Sequence, residues 1–100
     1  MKRTKEEEKG VYGKPEGGYN GWRNYATWNI ALWLGNDEGL YKQIQQFAHV
    51  YHSYKTGQDA KDFCKVVFLS GETPDNAVIN HTGIDWPAIA SAMREMAGIE

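Results

Sequence analysis

The pattern of apolar and polar positions along the chain predicts a small all-α domain of three to four helices. The clearest apolar stripe advances in steps of four, three, four and three residues, which is typical of one face of a helix. This stripe predicts a helix that begins after Asn36–Asp37, either of which suits the cap, and ends at Gly57. The stripe consists of Leu40, Ile44, Phe47, Tyr51 and Tyr54.

The preceding helix is predicted to begin after Asn24, a good N-cap residue, to run to Leu34 and to stop at Gly35–Asn36. Its apolar residues cover nearly the whole circumference, as expected for a central helix that neighbours surround. We expect a core built on Trp28, Trp33 and Trp86.

One polar residue, Asn29, interrupts the apolar run of this central helix. A buried amide without partners costs about 1–3 kcal/mol, so Asn29 should be hydrogen-bonded. We expect a structural bond to loop backbone, at the turn Gly35–Glu38 or at the start of the last helix.

Residues 58–70, QDAKDFCKVVFLS, fit either a helix or a short buried strand over 65–70. A helix is favoured because Asp59 and Asp62 suit a first turn and no partner strand is evident. Gly71 to Gly83 is expected to be a connection, with a single helical turn from Thr73–Pro74 through Ile79.

The last helix is predicted from Asp85 as cap and Pro87 in the first turn, and Gly98 is its expected stop. Ile84 is placed to pack on Ile89 across the cap. The buried stripe is expected to consist of Trp86, Ile89, Ala90, Met93 and Ala97.

Residues 1–20 are charged and then glycine-rich, a composition that buries too little apolar surface to offset the entropy of ordering. We therefore expect a flexible N-terminal tail over 1–20 and a single helical domain over 21–100. Tyr12 and Tyr19 are among the few apolar groups that could hold the tail on the domain.

Composition and charge argue against several classes of protein. Eleven basic and thirteen acidic residues give a net charge of −2, which disfavours both a general polyanion binder and a DNA mimic. A single cysteine, Cys64, excludes an internal disulfide and suits a reducing compartment. The longest apolar run, Ile30–Leu34, is too short for a membrane span, and no secretory signal is visible, so we expect a cytoplasmic protein without membrane contact.

The sequence offers no catalytic set, and we expect no enzyme activity, cofactor or metal. His49 and His52 are three residues apart on a predicted helix and could hold a metal together with Cys64 or His81, but nothing in the sequence fixes the third and fourth ligands, and we interpret both as surface histidines. Cys64 lies among apolar residues and is interpreted as a buried thiol rather than a nucleophile. The glycines at 17, 18 and 21 form no phosphate-binding fingerprint.

The candidate partner-binding residues lie around the end of the predicted tail: Tyr12, Lys14, Tyr19, Trp22 and Arg23. Aromatic rings interleaved with basic groups are typical of a stacking platform for single-stranded nucleic acid. The alternative is that these rings pack onto the domain as an N-terminal flap.

The stretch NYATWNIALWLGNDEGLY resembles a family of small uncharacterised proteins of bacteriophages, plasmids and bacteria. Their shared motif is approximately Asn-Tyr-Glu-Thr-Trp-x-x-x-Leu-Trp-x-x-Asn-Asp/Glu. Ala26 departs from it, since the family usually has an acidic residue there. The matching positions are Asn24, Tyr25, Thr27, Trp28, Leu32, Trp33, Asn36 and Asp37 and, in the closing segment IDWPAIASAM, Asp85, Trp86, Ile89 and Ala90.

The resemblance implies a phage or mobile-element origin and action in the host cytoplasm, without an established activity. Together with the missing catalytic set, it suggests a non-enzymatic protein that binds a host protein, with inhibition of a defence system (anti-CRISPR or anti-restriction) as one form. The alternative function is a small nucleic-acid-binding module. Exposed aromatic residues also leave a homodimer open.

Overall fold

Four α-helices and the segments that connect them make up residues 10–99, the part of the chain that the computed structural model describes. Apart from the isolated bridges Tyr19–Trp22 and Glu72–Val78, this part contains no β-structure, which confirms the all-α class. Residues 1–9 of the predicted tail lie outside the described residues. The helices are α1 (Tyr25–Asn36), α2 (Glu38–Gln46), α3 (Gly57–Val67) and α4 (Trp86–Met96).

Side-chain caps fix where the helices begin, and three of the four were predicted. Each cap oxygen accepts from a backbone N–H in the first turn, which satisfies a donor that the helix itself cannot. In α3, Thr56 and Asp59 cap each other's backbone in a reciprocal capping box. The caps of the other helices are Asn24 for α1, Asp37 for α2 and Asp85 for α4.

The prediction that α2 runs to Gly57 is wrong, because the helix ends at Gln46. The chain then turns, and Tyr54 reaches the core from a short 3-10 turn, His52–Tyr54, rather than from a helix face. The Tyr54 ring is fully buried edge-on to Phe63, and its hydroxyl donates to the Ile44 carbonyl at 2.8 Å. Of the predicted stripe only Ile44 and Tyr54 are fully buried, whereas Phe47 is exposed, and Tyr54 reaches the core because the chain reverses after α2.

The 3-10 turn has a left-handed backbone at three consecutive non-glycine residues, with φ of 54° at His52, 56° at Ser53 and 53° at Tyr54. This conformation costs about 1–2 kcal/mol per residue for L-amino acids. Burial of Tyr54 offsets the cost, as do a 2.6 Å hydrogen bond from Arg94 to the Tyr54 carbonyl and the 3.0 Å contact of His52 with Asp59. The turn is therefore a strained segment held by its surroundings.

Replacing Ser53 with glycine should raise the free energy of unfolding by roughly 0.5–1 kcal/mol. Glycine tolerates a φ of 56° without strain, and this gain exceeds its extra entropy in the unfolded chain. Urea unfolding of the wild type, Ser53→Gly and Ser53→Ala measures the effect. Ser53→Ala keeps the Cβ atom and should not show the gain; a glycine variant no more stable than the alanine variant would contradict the strain.

The ambiguous segment 58–70 is helical as far as Val67, in agreement with the favoured interpretation. The helical turn predicted from Thr73 to Ile79 is wrong. Here the chain forms a narrow loop closed by two backbone hydrogen bonds, from Thr73 N–H to the Ala77 carbonyl and from Ile79 N–H to the Gly71 carbonyl, each 2.9 Å. Asn76 takes a left-handed conformation, φ 70°, which reverses the chain where a helix would continue.

The expected core of three tryptophans is corrected. Trp86 is buried, but Trp28 and Trp33 are only half-buried. Trp33 lies partly at the surface, where its indole N–H donates to Asp75. Trp28 instead packs against tyrosines outside the core. The largest fully buried apolar side chains are Ile30, Leu34, Ile44, Tyr54, Phe63, Ile79, Ile89 and Met93.

The folded part of the chain begins before residue 21, because Tyr12 is a core residue with only 8 % of its surface exposed. Its ring stacks on His81 at a centroid distance of 3.9 Å, and its hydroxyl accepts from the Val78 N–H at 3.0 Å. Tyr12 therefore holds the N-terminal segment on the domain, as the sequence allowed, and the folded part extends beyond the predicted start at residue 21.

Asn24 ties this segment to the helices. Its Oδ1 accepts from both the backbone N–H and the hydroxyl of Thr27, at 2.9 and 2.7 Å. Its Nδ2 donates to the carbonyl oxygens of Tyr12 and Gly83, both at 2.8 Å. The Thr27 hydroxyl accepts in turn from the Asp85 N–H, so one buried amide joins the N-terminal segment, α1 and the start of α4.

Candidate protein-binding surface

A group of apolar side chains lies uncovered where α2 ends and α3 ends. We call it the α2–α3 apolar surface; its residues are Leu40, Phe47, Val50, Tyr51, Val66, Val67 and Leu69. Leu69 is 90 % exposed, Val66 56 %, Val50 53 % and Phe47 43 %. Single exposed apolar residues are ordinary, but a cluster marks a contact site more often than chance.

The local sequence explains why these side chains are not buried. Val66 and Val67 are consecutive residues of α3, so they point in directions about 100° apart and only one can face the core. Val67 is half-buried against the core and Val66 faces outward. Leu69 follows α3 in the turn, and Val50 lies in the turn that replaces the predicted continuation of α2.

Two depressions lie side by side in this surface. One, of about 240 Å³, is lined by Gln43, Phe47, Val50, Tyr51, Phe63, Val66 and Val67. The other, of about 390 Å³, extends past Leu40 and Leu69 to the loop at Glu72–Pro74. Because Gln43 and Val67 line both, the two depressions are adjacent, and we refer to them together as the groove.

Charge is sparse in the groove. The smaller depression has no charged lining residue, and its only polar amide is Gln43. Asp37 and Glu72 line the larger one. An apolar floor with an aromatic residue and few charges is typical of the buried centre of a protein–protein interface.

The strained turn at His52–Tyr54 directly follows Val50 and Tyr51 of the groove. Backbone strain held by surrounding structure is concentrated at functional sites. The position of the turn therefore favours a functional role for this face of the molecule.

The predicted partner-binding residues are separated by the fold. Tyr12 is buried in the core, and Tyr19 packs against Tyr25 and Trp28 with centroid distances of 5.4 and 5.1 Å. The structure brings together only the other three, Lys14, Trp22 and Arg23, which line a cavity of about 300 Å³. The sequence did not indicate the groove, although two consecutive valines on one helix were an available signal.

Asn29 is fully buried and hydrogen-bonded, but its partners are side chains of the 71–79 loop rather than the backbone groups we expected. Its Oδ1 accepts from the Thr73 hydroxyl at 2.6 Å, and its Nδ2 donates to Asp75 Oδ2 at 2.9 Å. Trp33 Nε1 donates to the same oxygen at 2.9 Å. This amide therefore holds the loop that forms one end of the groove against α1.

The two N–H donors on Asp75 lower the pKa of its carboxyl group, with the Asn29 bond the larger cause and the Trp33 bond the second. A carboxyl group whose pKa is lower in the folded state stabilises the fold above its unfolded pKa, and this contribution is lost as the pH falls through the folded pKa. We therefore expect Trp33→Phe to raise the Asp75 pKa towards its ordinary value in a carbon-detected NMR titration.

The same carboxyl group should contribute to acid sensitivity. Wild-type stability should fall more steeply on acidification than that of Asp75→Asn, which cannot ionise. Equal pH dependence of the two proteins, together with an Asp75 pKa that Trp33→Phe leaves unmoved, would contradict the network.

The other titratable groups of the described residues with a shifted pKa include Cys64 and Asp59. Burial raises the pKa of the Cys64 thiol, which disfavours the thiolate form that acts as a nucleophile. His52 contacts Asp59, and this bond lowers the Asp59 pKa. Within residues 10–99, no three His, Cys, Asp or Glu side chains are placed to hold a metal ion. None of the helices in that range has the length and apolar character needed to cross a membrane.

Comparison with known proteins gives one match. Residues 16–99 match the model of a family described as a family of unknown function (DUF7249). The match begins in the glycine-rich segment and includes all four helices. No curated protein and no solved structure matches the chain.

Proposed function

We propose that this chain, which belongs to that family of unknown function, is a non-enzymatic binding protein whose α2–α3 apolar surface contacts another protein. The observation that carries the proposal is the exposure of Phe47, Val50, Val66 and Leu69 on one groove. Leaving these side chains in water costs free energy that a partner would recover, since each buried Å² of apolar surface contributes about 25 cal/mol.

The shape of the groove supports one kind of occupant, an amphipathic helix of the partner. An amphipathic helix presents apolar side chains at spacings of three and four residues, and each of the two adjacent depressions would accept such a side chain. The scarcity of charge in the smaller depression supports an apolar contact face on that helix rather than an acidic or basic one.

We place the partner in a host cell. The resemblance of Asn24–Tyr41 and Ile84–Met93 to small proteins of phages, plasmids and bacteria supports an origin on a phage or other mobile element. A protein of that origin that acts by contact meets host cytoplasmic proteins first. Components of CRISPR and restriction systems are therefore the first partners to test.

The experiment compares the wild type with Phe47→Gln/Val66→Gln and with Tyr41→Gln as matched control. Tyr41 is an exposed aromatic residue on α2 that lines neither depression. We expect the wild type and the control to retain the same host protein from lysate, and the double variant to retain at least about tenfold less. Circular dichroism checks that the double variant is folded; Val50→Gln replaces it if it is not.

Sedimentation of the purified proteins separates the alternatives. The proposal expects a monomeric wild type that becomes a complex only with the retained protein. A wild type that self-associates, with a monomeric double variant, would show that a second copy covers the groove. Retention that does not depend on Phe47 and Val66 would also overturn the proposal.

A further inference from the structure

Another cavity lies at the N-terminal segment, and unlike the apolar groove it is lined by charged residues and glycines. It measures about 300 Å³ and is lined by Lys14, Gly17, Gly18, Gly21, Trp22, Arg23 and Asp85. None of its side chains belongs to the α2–α3 apolar surface, so its function is independent of the one proposed above.

Two tight turns build the wall of this cavity. In the first, Gly18 N–H donates to the Pro15 carbonyl at 2.9 Å, with Gly17 at φ 78°. In the second, Asn20 and Gly21 have φ of 47° and 85° between the paired residues Tyr19 and Trp22, the conformation that an Asn-Gly hairpin turn requires.

The two turns are packed backbone to backbone. A Cβ atom at Gly18 would lie 2.4 Å from the Trp22 carbonyl oxygen, so only glycine permits this approach. The cavity is therefore shaped by main chain that cannot easily rearrange, and a ligand would not have to order it on binding.

Several donors of the cavity have no acceptor within the part of the chain that the structure describes. Lys14 and Arg23 are exposed and form no ion pair with any acidic residue of the described part of the chain. The backbone N–H groups of Gly17 and Gly21 likewise donate to no acceptor within residues 10–99. Two cations beside free backbone N–H groups favour an anion with several acceptor oxygens.

Asp85 is the acidic residue in the lining, and its charge opposes an anion. Its Oδ1 is engaged in accepting from the Ala88 N–H at 3.2 Å, where it caps α4. The positive end of the α4 dipole further offsets this charge. The lining side chains retain a net positive charge, from Lys14 and Arg23 against Asp85.

We infer that this cavity binds a phosphate monoester. Such a group offers three oxygens with a charge of about −1.5 to −2 at neutral pH, which suits a lining that contains Lys14, Arg23 and three glycines. A volume of about 300 Å³ exceeds one phosphate and leaves the Trp22 indole beside the remainder of the ligand. The phosphate belongs to a free phosphorylated metabolite or to the 5′ end of a nucleic acid strand.

Nitrogen–proton NMR spectra of the full chain test the inference directly, because the amides of Gly17, Gly18 and Gly21 report on the cavity itself. The probes are inorganic phosphate, adenosine monophosphate, adenosine, and a short oligonucleotide with and without a 5′-phosphate, all at one ionic strength. We expect saturable shifts of these amides with adenosine monophosphate and none with adenosine. If the 5′-phosphorylated strand saturates the shifts at a lower concentration than the monophosphate does, the ligand is the end of a nucleic acid strand. If the monophosphate saturates them at the lower concentration, the ligand is a metabolite.

Variants that change the charge of the cavity should change its affinity for the monophosphate in opposite directions. Lys14→Gln and Arg23→Gln should each weaken binding about three- to tenfold, whereas Asp85→Asn, which keeps a good cap for α4, should strengthen it. Lys65→Gln, an exposed lysine on α3, is the matched control and should change nothing. The spectra also show whether each variant is folded.

Three results would overturn the inference. One is the absence of saturable shifts up to roughly ten millimolar monophosphate, a range that detects even millimolar affinity. The second is binding that Lys14→Gln and Arg23→Gln leave unchanged. The third is equal binding of the oligonucleotide with and without its 5′-phosphate, which would indicate a response to the backbone rather than to a monoester.

Discussion

Replacing Asn24 with aspartate is expected to lower the free energy of unfolding by roughly 3–5 kcal/mol, although both residues are good helix caps. The retained oxygen would still accept from Thr27. The second oxygen would replace Nδ2, which now donates to the carbonyl oxygens of Tyr12 and Gly83 at 2.8 Å each. Asn24 is fully buried, so a carboxylate there would face two acceptors without water.

Asp37→Asn is the matched control, because Asp37 caps α2 with Oδ1 alone and is partly exposed. Its effect should be within about 0.5 kcal/mol. The loss in Asn24→Asp should shrink on acidification, since a protonated carboxyl group can again donate one bond. Denaturant unfolding of both variants near neutral pH and in acid measures this; an Asn24→Asp protein about as stable as Asp37→Asn would contradict the network.

Replacing Gly83 with alanine should lower the free energy of unfolding by roughly 2–4 kcal/mol. The added Cβ atom would lie 2.1 Å from the Tyr12 carbonyl oxygen and 2.9 Å from its carbonyl carbon. These are backbone atoms that cannot rotate away, and the same oxygen accepts from Asn24. Relief of the clash must therefore disturb the contact of Tyr12 with the rest of the core.

Gly10→Ala serves as the control for this prediction, since a Cβ atom at Gly10 meets nothing within 4 Å. Thermal unfolding of the two variants should differ clearly, with Gly10→Ala close to the wild type. If Gly83→Ala unfolds at the wild-type temperature, the N-terminal segment does not pack against residue 83 as described.

The helix starts were predictable from the sequence because they depend on residues close together in the chain. Asn24, Asp37 and Asp85 each bind a backbone N–H three residues away. The stop at Gly98 is equally local: its φ of 74° and the bond from Ile99 N–H to the Arg94 carbonyl form the expected glycine C-cap.

The errors arose where distant residues decide the structure. Nothing next to Tyr54 in sequence indicates that Phe63 and Arg94 hold its backbone in a left-handed turn. Tyr12 was placed in a tail because the residues around it are glycine and charge, yet its side chain contacts Val78 and His81, which are 66 and 69 residues away. The burial of Asn29 was predicted. Its partners Thr73 and Asp75 were not, because they lie in a loop that was predicted to be a helical turn.

The candidate site was harder to predict than the fold. Val66 and Leu69 are exposed because no other part of the described chain packs against them. Apolar periodicity cannot predict this, since it only indicates which face of a helix is buried. The predicted aromatic platform assumed that neighbouring rings in sequence share a face. The hairpin at Asn20–Gly21 instead turns Tyr19 towards Trp28 and leaves Trp22 on the cavity.

The most direct test of the proposed function is site-specific photo-crosslinking, with benzoylphenylalanine placed at Val50 in the groove or at Ser91, an exposed position on α4. After irradiation in host lysate, the protein labelled at Val50 should crosslink to one host protein, through a segment with apolar residues at helical spacing. The protein labelled at Ser91 should not. Crosslinks that are the same from both positions, or that join only two copies of this chain, would contradict a groove that binds a helix of another protein.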